Sequence, residues 1–311
     1  MYLCEKDANP WQSFLEPLAD QKAARSASAA APPDAVWPLP LERTVSYGGG
    51  TAAAPAAIVR AGAELERYDE ELAIPIDWNV GVLPALEDRG SCMADYLAQV
   101  ETTARSHYRS HSLIVALGGE HTVSIPLLRA ASDVFGSLGV LHIDAHADLR
   151  SRYQGQSLSH ACVMHHLRAV TQHTVSVGIR SLSAAEAERI QAEQIPVVWA
   201  KDVARLPDDR WIERVLESLP ERVYVTIDLD GFDPSVVPGV GTPEPGGLMW
   251  YPALNLLRRV AATRRIVAAD IVEGVPLSGA PVTEYAAARL ALKLMVYLRT
   301  ASSTSAVRAG R

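Results

Sequence analysis

Short apolar segments alternate with helix-forming segments along most of the 311-residue chain, and this alternation limits the possible folds more than any other feature. Runs such as 113–117 (LIVAL) and 174–179 (TVSVGI) are continuously apolar, as parallel strands buried on both faces are. Between such runs lie helical segments, and Ser183 with Glu186 forms a capping box for a helix over 183–194. The alternation therefore predicts an α/β fold, a mainly parallel sheet with helices on both faces.

The predicted elements begin after an unusual N-terminal region. Residues 1–35 contain the small, Pro-terminated run AARSASAAAPPDA, which predicts an arm that is flexible or contacts a neighbouring subunit. Residues 36–311 are predicted to form a single α/β domain. Its strands are predicted at 113–117, 139–146, 174–179, 196–200, 223–230 and 265–273, and its helices at 55–68, 91–109 (capped by Ser91), 124–134, 183–194, 207–219, 252–263 and 283–299.

The composition narrows the class of protein. Hydrophobic residues make up 48% of the chain and charged residues 21%, which is enough for a sizeable core. The net charge of −7 gives no reason to expect nucleic-acid binding, and no run approaches the roughly 20 apolar residues of a membrane span. Three widely spaced cysteines without a CxxC pair favour a reducing compartment, so we expect a cytoplasmic protein.

Acidic and imidazole side chains lie at the carboxyl ends of four of the predicted strands. In an open parallel sheet, ligands bind beyond the carboxyl ends of the strands, and such side chains would meet there. A single Asp or His at a strand end is more often a hydrogen-bonded turn residue, but two Asp-rich clusters make coincidence improbable. The side chains concerned are His121, then Asp144, His146 and Asp148 in HIDAHADL, then Asp228 and Asp230 in IDLD, and finally Glu273.

The spacing within these clusters predicts a metal site. Residues at i, i+2 and i+4 of an extended segment face the same side, so Asp144, His146 and Asp148 can converge. Four crowded carboxylates need a counter-charge, which two divalent cations would supply. The donor set is rich in oxygen and lacks a thiolate, which suits Mn²⁺ better than Zn²⁺. His142 lies further back in the strand, where we expect it to pack or to hydrogen-bond a ligand.

The motifs, taken together and in order, resemble the ureohydrolase family of arginases and agmatinases. The resemblance covers roughly residues 36–300 and includes a Gly-rich loop and helix at 45–61. Its main segments are GGEHTVS (118–124), HIDAHADLR (142–150), VTIDLDGFDPSVVPGVGTPEPGGL (225–248) and DIVEGVP (270–276). It implies a three-layer αβα sandwich with two Mn²⁺ ions per subunit.

The resemblance also implies roles for individual residues. One ion would be held by His121 and Asp148, the other by His146 and Asp230, with Asp144 and Asp228 bridging both. A hydroxide bridging the ions would attack the guanidinium carbon of the substrate. Two further residues match catalytic positions of the family: Glu273 would bind the guanidinium, and His160 would carry a proton to the leaving amine. The neighbouring His165 and His166 match no such position.

Several details favour an agmatinase of the archaeal type over an arginase. Arg150 occupies a place where arginases tend to have Asn, and the segments SHACVMHH and TPEPGGL resemble agmatinases. The implied reaction is agmatine plus water giving putrescine and urea, a step of polyamine biosynthesis, in a homotrimer or homohexamer. Aminopropylagmatine, guanidinobutyrate, guanidinopropionate and arginine remain alternative substrates. A one-zinc deacetylase or an inactive, metal-stabilised scaffold are alternative functions, which the complete ligand set disfavours.

Overall fold

The computed structural model describes residues 14–15, 34–205 and 209–309, the last eight of these as backbone only. The strands are, in chain order, β1 Asp34–Leu39, β2 Tyr68–Asp69, β3 Ile74–Pro75, β4 Gly81–Val82, β5 Leu113–Gly118, β6 Gly139–Ile143, β7 Thr174–Ile179, β8 Val197–Trp199, β9 Arg222–Asp228 and β10 Arg265–Val272. The α-helices are α1 Ala54–Ala63, α2 Met93–Ser110, α3 Ser124–Phe135, α4 Val163–Val170, α5 Ala184–Ala192, α6 Ala200–Arg205, α7 Arg210–Ser218, α8 Trp250–Thr263 and α9 Val282–Ala309.

Eight of these strands form one sheet in the order β4-β1-β5-β10-β9-β6-β7-β8, and every described pair in it is parallel. The remaining two, β2 and β3, form a separate antiparallel pair. The four strands that precede the predicted site residues, β5, β10, β9 and β6, are direct neighbours in the middle of the sheet. Their carboxyl ends therefore lie side by side at one edge of the sheet, although the four strands are far apart in the amino-acid sequence.

Two hydrophobic cores lie on opposite faces of the sheet. Alternate residues of each strand point to opposite faces, so Val115 of β5 belongs to one core and Ile114 to the other. The first core includes side chains of α1, α7, α8 and α9, and the second includes side chains of α2, α3, α4 and α5. The predicted αβα sandwich with a mainly parallel sheet is confirmed, and burial on both faces explains why its strands are continuously apolar.

Local sequence signals predicted the ends of most helices and strands to within a few residues. The capping box predicted for Ser183 and Glu186 is present at the start of α5. The cap of α2 is Cys92 rather than the predicted Ser91. The sequence did not predict β1 or the two-residue strands, which are too short to show a period. The predicted strand over 139–146 ends at Ile143, so the residues after it lie in a loop.

Only a few of the described residues lie within the predicted N-terminal arm. Phe14 and Leu15 are buried and belong to the first core, and β1 begins at Asp34, just before the predicted end of the arm. The rest of the predicted arm lies outside the described residues. Among the helices that the structure describes, we find none with the length and apolar character needed to cross a bilayer.

Candidate metal centre and active site

The predicted ligands converge at the carboxyl ends of the four central strands. His121 lies in a 3₁₀ turn after β5, and Asp144, His146 and Asp148 follow β6. The backbone at Asp148 is left-handed, with φ of 51°, a conformation that non-glycine residues adopt at a cost. This turn brings Asp148 back over the strand ends, so the cluster forms through the loop geometry and not through strand alternation alone.

The first cluster surrounds one imidazole nitrogen. Nδ1 of His121 lies 3.3 Å from Oδ2 of each of three carboxylates, those of Asp144, Asp148 and Asp228. This nitrogen is buried and makes no hydrogen bond within the described residues. Atoms that bind one ion at about 2.0–2.5 Å lie on the order of 3 Å apart. The arrangement is therefore that of donors around a shared cation.

The second cluster shares a carboxylate with the first. Nδ1 of His146 lies 2.9 Å from Oδ2 of Asp230 and 3.5 Å from Oδ1 of Asp144. Asp144 thus faces His121 with one oxygen and His146 with the other. A carboxylate shared in this way is what two adjacent cations require of a bridging ligand. Asp228 joins the two clusters less directly, because its Oδ1 accepts the backbone N–H of Asp230 at 2.9 Å.

Buried hydrogen bonds hold the predicted ligands in position. His142 is fully buried, with Nε2 at 2.8 Å from Oδ2 of Asp144 and Nδ1 at 3.0 Å from Oγ of Ser176. Both of its nitrogens are thereby occupied, which favours the predicted supporting role over a ligand role. Oδ1 of Asp230 accepts the backbone N–H of Ala145 at 3.1 Å. The contacts with Ser176 and Ala145 join neighbouring strands, β6 with β7 and β6 with β9, so the sheet itself helps to fix the cluster.

A series of hydrogen bonds also supports His121. Its Nε2 lies 2.9 Å from Oγ1 of Thr226, whose hydroxyl donates to Oδ1 of Asp270 at 2.6 Å. Because the hydroxyl proton is used there, Oγ1 of Thr226 must accept the N–H of His121 Nε2. Tyr224 also donates to Asp270, on its other oxygen. With Nε2 carrying this N–H, Nδ1 of His121 is the ring nitrogen that can bind a metal ion.

The electrostatics of the cluster show strong competition between protons and cations. Burial alone would lower the pKa of His146, but hydrogen bonds to Asp144 and Asp230 outweigh it and raise the pKa to about 12. Burial is likewise outweighed at His121, whose pKa the surrounding aspartates raise well above its usual value. Burial, reinforced by neighbouring carboxylates, raises the pKa of Asp228. Protons therefore compete with cations for these side chains.

A cavity of about 360 Å³ opens above the clusters and is lined by both predicted catalytic residues. Glu273 follows β10 with a left-handed φ of 63°, and its Oε1 accepts the backbone N–H of His121 at 2.6 Å. Burial raises the pKa of Glu273 to about 8. His160 lies in a 3₁₀ turn before α4, with its nitrogens beside Thr44 and Ser46. His165 and His166 lie on α4, outside the cavity wall.

Sequence reasoning missed several residues around the site. Thr226 and Asp270 lie inside apolar strands, and a polar residue within such a run is the signal that could have found them. Glu120 of the GGEH segment is fully buried and was passed over in favour of the histidine next to it. Thr44 and Ser46 carry no local signal, because only the folded chain brings their loop to His160.

Comparison with known proteins identifies the family. The arginase family model matches residues 33–297. The chain belongs to the arginase family. It is 37% identical to the N(1)-aminopropylagmatine ureohydrolase of Synechocystis, over 84% of this chain and 88% of that protein. It is 32% identical to the agmatinase of Bacillus cereus, with 78% and 83% covered. The agmatine ureohydrolase of Thermoplasma volcanium superposes with a TM-score of 0.78 at 28% identity, covering 91% of this chain and 99% of that one.

These matches confirm the predicted resemblance to the ureohydrolases, with agmatinases among the similar proteins. They also confirm the predicted hydrolase class, so this member of the arginase family is a guanidino hydrolase. The alternatives of a one-zinc deacetylase and an inactive scaffold find no support among them.

Proposed function

We propose that this arginase-family protein is a binuclear manganese amidinohydrolase that converts agmatine and water to putrescine and urea. The observation that carries the proposal is the pair of His and Asp clusters sharing Asp144, at the floor of a cavity lined by Glu273 and His160. The role of each residue is the one that the family resemblance implies, and the contacts in the structure support it.

The residues of the two clusters fit a pair of Mn²⁺ ions. The buried Nδ1 of His121 has no hydrogen-bond partner in the described structure and faces three carboxylate oxygens. The donors are oxygen and imidazole nitrogen, which suits manganese. One ion would be held by His121 and Asp148, the other by His146 and Asp230, with two bridging carboxylates, Asp144 and Asp228. When bound, such an ion pair supplies a water molecule made strongly nucleophilic near neutral pH.

Glu273 is placed to hold the guanidinium group. Its Oε1 is fixed by the N–H of His121, so the carboxylate is held directly beside the metal ligands. The planar fork of N–H donors in a guanidinium matches a carboxylate in geometry. A guanidinium bound there would have its central carbon beside the two clusters. The left-handed backbone at Glu273 is the kind of local strain found at functional sites.

His160 is placed to move the proton that the reaction requires. The leaving amine must gain a proton, and an imidazole at the cavity wall can take it from the attacking water and donate it. Burial lowers the pKa of His160, which keeps the imidazole neutral and ready to accept. Its substitution by alanine should slow turnover without removing the metals, which elemental analysis would verify.

The charges of the cavity favour a substrate whose far end is also cationic. Two carboxylates besides the metal ligands and Glu273, those of Glu186 and Glu244, line the wall, against one guanidinium, that of Arg150. Arg150 is already engaged, 3.6 Å from Glu186 and over the ring of Tyr153. The carboxylate of Glu244 makes no hydrogen bond or ion pair with any described residue. It is therefore available to an amine.

Aminopropylagmatine is the second candidate substrate. Four similar proteins, including the one 37% identical to this chain, are named N(1)-aminopropylagmatine ureohydrolases. Its extra aminopropyl arm would add a second positive charge at the open end of the same cavity.

Steady-state urea release in the presence of Mn²⁺ tests the proposal. Agmatine, aminopropylagmatine, arginine, guanidinopropionate and guanidinobutyrate are compared side by side. Guanidinobutyrate is the matched control, since its far end carries a carboxylate where that of agmatine carries an ammonium. We expect the highest kcat/KM for agmatine or aminopropylagmatine. A preference for guanidinobutyrate would refute the substrate assignment, and no urea from any of the five would refute the enzymatic function.

Two other expectations stay predictions. A homotrimer or homohexamer is tested by light scattering of the purified protein. A cytoplasmic location is tested by fractionating the cells that produce it.

A further inference from the structure

The two ring nitrogens of His160 have different partners. Nδ1 lies 3.0 Å from Oγ1 of Thr44, on the inner side of the loop that follows β1. Nε2 lies 2.8 Å from Oγ of Ser46, which lines the cavity. The direction of the hydrogen bond to Thr44 determines which nitrogen carries the proton in the neutral ring.

Glu120 determines that direction. Its Oε1 lies 2.8 Å from Oγ1 of Thr44, and a hydroxyl beside this oxygen can only donate to it. Three further donors also face the fully buried carboxylate, among them the hydroxyl of Thr122 at 2.5 Å and the backbone N–H of Thr44 at 2.7 Å. The backbone N–H of Arg43 is another. With its only proton given to Glu120, Thr44 must accept the N–H of His160 Nδ1.

Backbone contacts fix the position of Thr44 relative to Glu120. Gly119 and Glu120 donate their N–H groups to the carbonyls of Leu39 and Leu41, at 2.9 and 2.8 Å. A Cβ atom at position 119 would lie 2.0 Å from the carbonyl oxygen of Leu41, so only glycine permits this approach. The close contact lays the segment before Thr44 directly along the one that carries Glu120.

We propose that Glu120 and Thr44 act as positioning residues that hold His160 in its Nδ1–H form and present Nε2 to the cavity as the proton acceptor. The proposal rests on the proposed function, in which His160 carries the proton to the leaving amine. Nε2 takes one proton from the attacking water and gives it to the leaving nitrogen, while the proton on Nδ1 stays in place. The imidazolium that forms between these two transfers is stabilised by Glu120 through the hydroxyl of Thr44.

The hydroxyls of Ser159 and Ser46 do not replace this link. Oγ of Ser159 lies 3.4 Å from Nδ1, farther away than Oγ1 of Thr44, and can accept the same N–H. The single proton of Ser46 can go either to Nε2 or to the hydroxyl of Tyr153 at 3.2 Å, and since Tyr153 can donate in return, this pair leaves the tautomer to the link through Thr44.

The charged groups around the ring do not replace the link either. Asp148 and Glu120 favour the imidazolium of His160 electrostatically, while His121 and His146 oppose it. None of the four makes a direct hydrogen bond to His160 in the described structure.

A purely structural role for Thr44 is the competing explanation. Its Oγ1 also accepts the backbone N–H of His160 at 3.2 Å, so the hydroxyl could serve only to anchor the loop. An anchor would affect folding and metal content, and its loss would slow turnover whether or not the imidazole is present. A positioning role would affect kcat only through the imidazole.

The first experiment compares Thr44→Val, which keeps the shape without the hydroxyl, with Thr44→Ser, which keeps the hydroxyl. We expect Thr44→Val to lower kcat by about 10- to 100-fold, the effect of losing one hydrogen bond to a charged group, with little change in KM or bound metal. Thr44→Ser should retain most of the activity. Thr122→Val is the matched control, because it removes another hydroxyl from Glu120 without touching His160. An equal loss in Thr122→Val would refute the proposal.

A double-mutant cycle with His160→Ala separates the two explanations further. If Thr44 acts through the imidazole, Thr44→Val should cause no further loss of activity in the His160→Ala background. The same fold-loss in both backgrounds would overturn the positioning role.

The tautomer can be measured without turnover. Nitrogen-15 NMR of the imidazole at alkaline pH should show His160 protonated on Nδ1 in the wild-type protein and in Thr44→Ser. In Thr44→Val the Nε2–H form should become populated. Predominant Nε2–H in the wild-type protein would refute the proposal, even if no guanidino substrate is cleaved. Failure of the proposed function and failure of this inference are thereby distinguished.

Discussion

Replacing Thr226 by valine should weaken the binding of divalent cations, although Thr226 is not itself a ligand. Its hydroxyl accepts the N–H of His121 Nε2 at 2.9 Å and donates to Asp270 at 2.6 Å, so the opposite nitrogen, Nδ1, is the one that a cation can bind once it displaces the proton there. Valine has nearly the same shape but cannot accept a hydrogen bond. The ring then loses its preference for the tautomer that binds a metal, and its Nε2–H is left buried without a partner.

The expected size of this effect follows from comparable supporting residues. Loss of a partner that orients a metal-binding histidine typically weakens metal affinity by about 10- to 100-fold. At a concentration of Mn²⁺ 100 times the wild-type Kd, binding stabilises the wild-type protein by about 2.7 kcal/mol. In the variant the same concentration would give about 1.4 kcal/mol for a tenfold loss and about 0.4 kcal/mol for a hundredfold loss.

The assay is a titration of metal-free protein with Mn²⁺, followed by calorimetry and by the rise in unfolding temperature. Thr226→Ser is the matched control, since it keeps the hydroxyl and should retain most of the affinity. Equal Mn²⁺ affinities for Thr226→Val and the wild-type protein would refute the reasoning, because His121 would then not depend on the hydroxyl. A loss of folded protein in both variants would show instead that the site tolerates no change in packing.

Three further predictions concern the ligands and the guanidinium partner. Asp228→Ala removes a carboxylate beside His121, so both bound metal and urea release should be lost; normal metal content by elemental analysis would contradict the bridging role. Glu273→Gln should raise KM for agmatine by roughly 10-fold or more while leaving the metals bound, since a charge-assisted hydrogen bond to the substrate is lost; an unchanged KM would remove Glu273 from substrate binding. Mn²⁺ uptake at pH 7 should release on the order of one to two protons per subunit, because the raised pKa values of His121 and His146 keep both rings protonated until a cation displaces the protons. Affinity should accordingly strengthen as pH rises, and a pH indicator that detects no proton release would contradict the raised pKa values.

The sequence alone indicated most of the elements and the candidate metal donors of this protein. Continuous apolar runs predicted the buried strands, and the polar residues at the ends of these runs indicated the candidate ligands, because both signals are local. The capping box at Ser183 and Glu186 likewise predicted the start of α5. Such signals depend on residues a few positions apart, and the energetic cost of burying a carboxylate is visible wherever one follows an apolar run.

The tertiary structure decided how the donors meet. No local pattern specifies that β10 and β9 lie between β5 and β6, yet this order brings His121 to the aspartates after β6 and β9. The left-handed turn at Asp148 replaced the strand alternation that the spacing had suggested. The link from Glu120 through Thr44 to His160 joins residues 76 and 116 positions apart. Periodicity reports which face of an element is buried, whereas the directions of hydrogen bonds between distant loops are fixed only once the sheet has brought those loops together.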